Sequence, residues 1–426
     1  DSGKITLSVT NDGTVPAFQV RAFSESDYNY FDERELLFGR IDPGQTKTAS
    51  LKLTVAEHEL SRTDRFDWQL FSQHGVQLVA NSQTILDVSS QGLPRPAFAY
   101  GFQVLDDPRM GTNIRGNADG ALQVGERVRV RMYFTNTGEG RASDTWVTLR
   151  NLVGDSVYLH SGRENVKTVA AGESRVVEFD MEIKKPPVTG EVKLQLSVAD
   201  AKIGASLSEK FNFPLAASTI TFAGGSGHVT VPAGADLFAS PVPATPQKVA
   251  RAEPGSTYKV LRTADGWVRI ELDPKRFAFV RSGDVKQSGP GKPKITEFLA
   301  VSPPKISLAE TVTQTEAESI QTRGVATDDE AVRDVYITVY NPARNLFGSH
   351  EKVFYQAAPD PSAGRLEFAA DVPLTPGNNF IEVRVREDDD VVATKQMWVL
   401  RTSGLQEARA NAGKFVSNGK LSVDTL

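Results

Sequence analysis

Residues 127–134 alternate without a break. Val128, Val130, Met132 and Phe134 are apolar, and Arg127, Arg129, Arg131 and Tyr133 stand between them. A period of two sends successive side chains to opposite faces of a sheet, so such a run buries one face and wets the other. Phe380 and Ile381 open a second run, in which Ile381, Val383 and Val385 face away from Glu382, Arg384 and Arg386. Turn signals recur at short spacing: Asn11-Asp12-Gly13, Asp42-Pro43-Gly44, Asn136-Thr137-Gly138, Ala264-Asp265-Gly266 and Thr375-Pro376-Gly377-Asn378. Many short strands joined by such turns predict an all-β chain of sandwiches or small barrels. Amphipathic helical stretches are nearly absent; the two candidates, 56–61 and 405–414, are short.

A repeat sharpens this reading. Val9-Thr10-Asn11-Asp12-Gly13, with Ala17 beyond, matches Phe134-Thr135-Asn136-Thr137-Gly138, with Ala142 beyond. Each copy then meets a glycine turn that opens a further strand, Asp42-Pro43-Gly44-Gln45 in one and Ala170-Ala171-Gly172-Glu173 in the other. One sandwich used twice is the expectation. At about 100–150 residues per domain, 426 residues make three or four domains. Residues 89–96, 224–227 and 287–293 are rich in Gly, Pro or Ser and read as linkers. The expected layout is a sandwich at 1–90, its repeat at 97–217, a barrel at 228–287, a third sandwich at 293–402 and a polar tail at 403–426.

Charge and cysteine narrow the function classes. The formal net charge is −5 with Lys+Arg 48 against Asp+Glu 53, so no basic surface for nucleic acid is implied. With no cysteine, disulfides, thiolate metal sites and thiol nucleophiles are all ruled out, and both the cytosol and the bacterial envelope remain open. No stretch reaches the roughly 18–20 apolar residues of a membrane helix. The strand pattern Ile5, Leu7, Val9 starts almost at Asp1, which suggests a processed or excised segment.

Some stretches resemble known families. The segment 231–285 resembles a bacterial SH3-like barrel. It carries Asp236-Leu237-Phe238-Ala239-Ser240-Pro241, Tyr258-Lys259-Val260 after Pro254-Gly255, and the hairpin Asp265-Gly266-Trp267-Val268. The usual Gly-Trp before its last strand is replaced by Phe277-Ala278-Phe279-Val280, which departs from the family's ligand site. Residues 295–402 resemble a bacterial Ig-like domain through Pro376-Gly377-Asn378-Asn379 and Ala331-Val332-Arg333-Asp334-Val335. Tyr30-Phe31-Asp32-Glu33-Arg34-Glu35-Leu36-Leu37-Phe38-Gly39 and Leu93-Pro94-Arg95-Pro96-Ala97-Phe98-Ala99, with Gly116-Asn117-Ala118-Asp119-Gly120, are similar to the post-catalytic region of large myxobacterial-type S41 (carboxy-terminal processing) serine peptidases. That resemblance covers about the first half of the chain. It implies a periplasmic or secreted location and an accessory role beside an N-terminal protease domain. Nothing here matches the family's Ser/Lys catalytic domain, so no catalytic residue carries over.

Six constellations are candidates for chemistry. Asn117, Asp119, Gly120 and Glu126 fall at positions 3, 5, 6 and 12 of a calcium loop, with Ala121 supplying a backbone carbonyl at position 7. Arg115 occupies position 1, and Asp106, Asp107 or Asn113 would have to stand in; the other reading is the start of a hairpin whose Asn and Asp satisfy their own backbone. Tyr258, Trp267, Phe277 and Phe279 form either an aromatic groove for a peptide or wall glycopeptide, or a barrel core. Glu387-Asp388-Asp389-Asp390 is a solvated turn or a weak cation site. Ser226, within Gly224-Gly225-Ser226-Gly227-His228, lacks the surroundings of a nucleophile elbow. Alternation puts Glu33 and Glu35 on one face of a structural or interface strand expected over 30–39 and Asp32 on the other, against use as paired carboxylates. The five histidines, His58, His74, His160, His228 and His350, show no ligand spacing.

The function these readings imply is a non-catalytic accessory region of an envelope serine peptidase, which positions the protease or recognises substrate or peptidoglycan. The alternative is a free-standing secreted or surface binding protein, calcium-stabilised if the loop holds metal. An enzyme built from residues no motif flags is the third.

Overall fold

The computed structural model describes residues 2–73, 78, 84–241, 247–264, 266–342, 349–360, 362–389, 391–405 and 422–425. His74, Asp265, Asp390 and positions 406–414 of the second expected helix lie outside them. The described chain is all-β; its sheets, antiparallel except where Gln314–Thr315 runs parallel to Val392–Arg401, make three Ig-like sandwiches and one small SH3-like barrel. Among the described residues no helix is long and apolar enough to cross a membrane. The chain divides into two compact units, residues 94–303, and residues 1–93 together with 304–426.

In the discontinuous unit, the first sandwich pairs Ser2–Thr10 with Thr46–Thr54. It faces a sheet of Glu35–Ile41, Ala17–Glu25, Arg62–Phe71 and Thr84–Ser90. Leu7, Val9, Val20, Ile41, Phe66 and Trp68 fill its core. In the tail, Ser422–Thr425 pairs along Ser2–Thr10. The third sandwich places Ser319–Thr327 between Lys305–Leu308 and Arg365–Pro373. Its second sheet carries Asp334–Tyr340, Glu351–Ala357, Gly377–Arg386 and Val392–Arg401. Ile381, Val383 and Val385 are fully buried, as their alternation requires.

In the continuous unit, the second sandwich sets Phe98–Leu105, Arg127–Asn136 and Ser174–Ile183 against Ala142–Asn151, Glu191–Asp200 and Ser206–Pro214. Val128, Val130, Met132 and Phe134 are all fully buried. Burying each contributes about 1.5–3 kcal/mol, which is why the run fixes the register. The barrel winds through His228–Thr230, Thr257–Ala264, Trp267–Asp273, Arg276–Arg281, Asp236–Phe238 and Lys248–Ala252. Its sheet runs past the expected limit of 287, because Ile295–Glu297 pairs with Lys248–Ala252.

The repeat is built on the same buried amide in both copies. Asn11 Nδ2 donates to the carbonyls of Val15 and Ile41, and Asn11 Oδ1 accepts from the Gly13 amide. Asn136 does the same with Gly140, Val169 and Gly138. The backbone of each asparagine also ties the glycine turn, through Gly44 N to Asn11 O and Gly172 N to Asn136 O. One side chain thus satisfies loop carbonyls that would otherwise be buried and unpaired. A third buried asparagine, Asn341, follows strand Asp334–Tyr340 and donates to Thr375 Oγ1 and the Pro376 carbonyl at the Pro-Gly turn.

Two of the expected linkers are packed instead. A Cβ on Gly92 would lie 2.6 Å from the Ser61 nitrogen, and one on Gly225 would lie 2.6 Å from Val260 Cγ1. Ala223–Gly224 pairs with Thr257–Ala264. Glycine stands at both positions because backbone must approach closely, not because the chain must bend freely. Residues 56–61 form a single turn, closed by Glu59 N to Ala56 O, rather than a helix. Residues 28–33 form a turn that buries Tyr28 and Phe31, so the strand expected over 30–39 starts at Glu35.

Candidate functional site

The loop 117–126 of the continuous unit holds itself closed. Asn117 Oδ1 accepts from the Asp119 amide at 2.9 Å, and Asp119 Oδ1 accepts from the Ala121 amide at 2.8 Å. These are two successive turns in which a side chain caps its own backbone. Asp119 Oδ2 accepts from Gln123 Nε2 at 3.0 Å and from the Ile220 amide at 2.9 Å. Glu126 Oε1 accepts from the Asn117 amide at 3.2 Å and Oε2 from the Gln123 amide at 3.0 Å.

Each carboxylate oxygen of the expected calcium set therefore faces an N–H donor rather than a shared cation position. Among the described residues no three His, Asp or Glu side chains group to hold a metal. Asn117, Asp119, Ala121 and Glu126 do not fit calcium, and the reading in which Asn and Asp satisfy their own backbone describes the loop. Burial raises the Glu126 carboxyl to about 7, with the nearby Asp106 and Asp119 adding to it.

The expected aromatic groove is filled. Tyr258, Phe277 and Phe279 are fully buried. Tyr258 packs in the barrel core, and its hydroxyl donates to the Lys294 carbonyl at 3.0 Å. Phe277 and Phe279 meet edge-to-face and join Leu105, Met110 and Ile114 of the second sandwich in a separate apolar cluster. Trp267 is half-buried against Phe238 at the rim of that cluster. The departure at 277–280 thus makes a joint between two modules, with the aromatic area spent on burial.

At this joint lie groups that no motif singled out as a centre. Arg269 is fully buried, and its guanidinium lies 3.6 Å from the centre of the Phe277 ring. It donates to Asp107 and, at 3.0 Å, to the Ala118 carbonyl. Burial alone would raise the Asp107 carboxyl, but hydrogen bonds from Arg109 and the charge of Arg269 outweigh it and hold Asp107 at about 2. The adjacent Asp106 is different. Its Oδ2 accepts from the Gly120 amide at 2.9 Å, while its buried Oδ1 has no partner. Burial raises Asp106 to about 6. Asp106 lines a cavity of about 280 Å³ whose walls include Phe102, Phe211, Phe213 and Leu122. The two consecutive acids after strand Phe98–Leu105 were the available signal. Arg269 gave none, since it sits in an ordinary barrel strand.

The remaining candidates stay apart. Asp32 Oδ1 accepts from the Ser26 amide, and Glu35 pairs with Arg21 at 3.5 Å. Ser226 is exposed, and His228 begins a barrel strand. Glu387, Asp388 and Asp389 of the acidic run follow strand Gly377–Arg386, and Asp389 pairs with Arg333 at 2.6 Å. His58 and His160 lie beside Glu59 and Glu182, and His350 stacks on Tyr340.

No family model matches the chain, and no curated protein matches it. Among solved structures, a β-glucosidase involved in saponin metabolism from intestinal bacteria aligns at 21% identity over 33% of this chain and 19% of its own, with a TM-score of 0.16. A Salmonella α2-macroglobulin reacted with methylamine aligns at 12% identity over 95% of this chain and 32% of its own, with a TM-score of 0.21. The chain therefore spans less than a third of either structure, and at these TM-scores neither likeness bears on function.

Proposed function

We propose that this chain is a non-catalytic accessory region of an envelope S41-type serine peptidase, which holds or presents a protein or peptide beside the protease domain. The observation that carries the reading is the state of the charged residues at the module joints. Arg269 with Asp107, and Arg62 with Asp64, bond to each other and to neighbouring polar groups, as structural ion pairs do. Joints of this kind suit a part that fixes geometry rather than one that turns substrate over. The segments at 30–39 and 93–99 supply the resemblance to the peptidase family, and a periplasmic or secreted location follows from the same resemblance.

The test has two arms. Serum raised against this chain is used on the native organism, and the isolated chain is incubated with denatured casein. The expected results are a band well above 46.3 kDa that carries protease activity, and no casein hydrolysis by the isolated chain. Hydrolysis by the isolated chain would overturn the non-catalytic reading. A band only at 46.3 kDa, with no co-purifying protease, would replace it by the free-standing binding protein.

A further inference from the structure

The cavity beside Asp106 combines an apolar wall with one unsatisfied acid. Phe102 lies 4.1 Å from Phe211 and 5.7 Å from Phe213, ring centre to ring centre, so three aromatic rings crowd one side. Leu122 adds an aliphatic wall, and Gln247 a polar edge, its side-chain amide already donating to the Phe102 carbonyl. Asp106 is 1% exposed, its Oδ1 has no hydrogen bond from another residue, and the charged groups that face it are Arg269, Asp119 and Glu126. A buried carboxylate with an empty acceptor is costly, and a pocket lined mainly by apolar groups with one such polar point is what a small ligand requires. An apolar group would fill the cavity, and an N–H-bearing cation would complete Asp106. The aromatic faces favour the same cation.

We propose that this cavity binds a primary ammonium group carried on an apolar arm, with Asp106 Oδ1 as its acceptor and Phe102, Phe211 and Phe213 around the arm. The site is independent of the peptidase reading, since it needs no partner domain. Two sources offer this chemistry: a free arylalkylamine, and a lysine side chain of a peptide.

The test is calorimetric titration of the full chain at pH 7.5 with 2-phenylethylamine, Nα-acetyl-lysine methylamide and neutral toluene. The expected result is that at least one amine binds, and binds tenfold or more tightly than toluene. Whichever amine binds more tightly names the source. Asp106→Asn, checked for folding by its melting curve, should weaken the amine by tenfold or more and leave toluene unchanged. Should that variant fail to fold, the wild-type chain decides: amine binding must weaken as pH falls through about 6, where Asp106 takes a proton and loses its charge. Equal binding of amine and toluene, amine binding that ignores both Asp106→Asn and pH, or no binding of any probe would overturn the proposal.

Discussion

Each of the two units joins a sandwich to a second module, and they do it with different chemistry. In the continuous unit the joint is an apolar cluster of Leu105, Met110, Ile114, Phe277 and Phe279 beside the buried pair Arg269–Asp107, with Gln103 accepting from Arg276 and donating to the Phe277 carbonyl. In the discontinuous unit the joint is polar. Arg62 binds Asp64 through two hydrogen bonds at 2.7 and 2.6 Å, and Asn378 Nδ2 reaches Asp64 at 2.7 Å. The Arg62 guanidinium also lies between the rings of Tyr28, at 3.9 Å, and Trp398, at 4.3 Å. Asp27 accepts from the Asn378 amide, and Thr63 donates to Thr313. The lesson lies in what each joint leaves behind when one partner is lost. Removing Asp107 strands an arginine, which cannot give up its charge. Removing Arg62 strands an aspartate, which can.

The largest expected effect follows from that asymmetry. Asp107→Ala should cost about 3–5 kcal/mol, because Arg269 stays charged and buried with the Ala118 carbonyl as its acceptor and only the nearby charge of Asp106 to offset its own. The cost should be larger at pH 5 than at pH 7.5, because the adjacent Asp106, raised to about 6, lends Arg269 its charge only at the higher pH. Denaturant melts at both pH values check this, and a cost that vanishes at pH 5 would break the comparison. Arg269→Ala should cost less, since Asp107 keeps its bonds from Arg109.

Arg62→Ala should cost about 3 kcal/mol at pH 7.5, the lower end for a broken buried pair, because Asn378 still serves Asp64. Burial already raises the Asp64 carboxyl, and loss of Arg62 would raise it further. The variant should therefore recover part of its stability as pH falls from 7.5 to 5 and Asp64 takes up its proton more readily. Melts that show equal loss at both pH values would mean that the rings of Tyr28 and Trp398, rather than the charge, carry the joint.

Smaller again, Asn11→Ala and Asn136→Ala should each cost about 1–3 kcal/mol, the penalty for leaving buried carbonyls without donors. The Asn136 loss should be the larger, because Asn136 Oδ1 also accepts from the Ala97 amide at 3.2 Å, a bond with no counterpart at Asn11. A larger loss at Asn11 would show that the repeat is shared in sequence but not in energetics.

How much of this was legible in the sequence depends on how local the cause was. The run from Val128 to Phe134 gave strand, face and burial together, because a period of two is a property of neighbours. The Asn-x-Gly repeat was legible because asparagine and its turn lie within a few residues. Asn341 escaped notice because Pro342 follows it and no glycine completes the motif. Gly92 and Gly225 looked like linkers since the atoms that crowd them, at Ser61 and Val260, come from elsewhere in the chain. The Arg269–Asp107 joint spans 162 positions, and neither residue carries a local signature. Phe277 and Phe279 were recognised as a departure from the barrel pattern, but only the second sandwich explains it. The calcium spacing at 117–126 was real as spacing. It was misleading because backbone amides, which sequence does not place, take the oxygens first.

The smallest effect separates the two units by pH. Burial raises Glu126 in the continuous unit and Glu387 in the discontinuous one to about 7, from an ordinary value of 4.5. Asp106 is raised to about 6 from 3.8. A carboxyl raised on folding binds its proton more tightly in the native state. Its contribution is present in full below the ordinary value and is lost as pH rises through the folded one. The wild-type melting temperature should therefore rise as pH falls from 8 to about 5. Below that range Asp107, held at about 2, works the other way, and its stabilisation is lost as pH falls through its folded value. Glu126→Gln removes one of the raised groups from the continuous unit and leaves Glu387 in place. The slope between pH 5 and 8 should flatten for hydrogen exchange in Arg127–Asn136 and stay unchanged in Gly377–Arg386. Equal flattening in both strands would show that the pH response belongs to the molecule as a whole and not to the carboxyls of each unit.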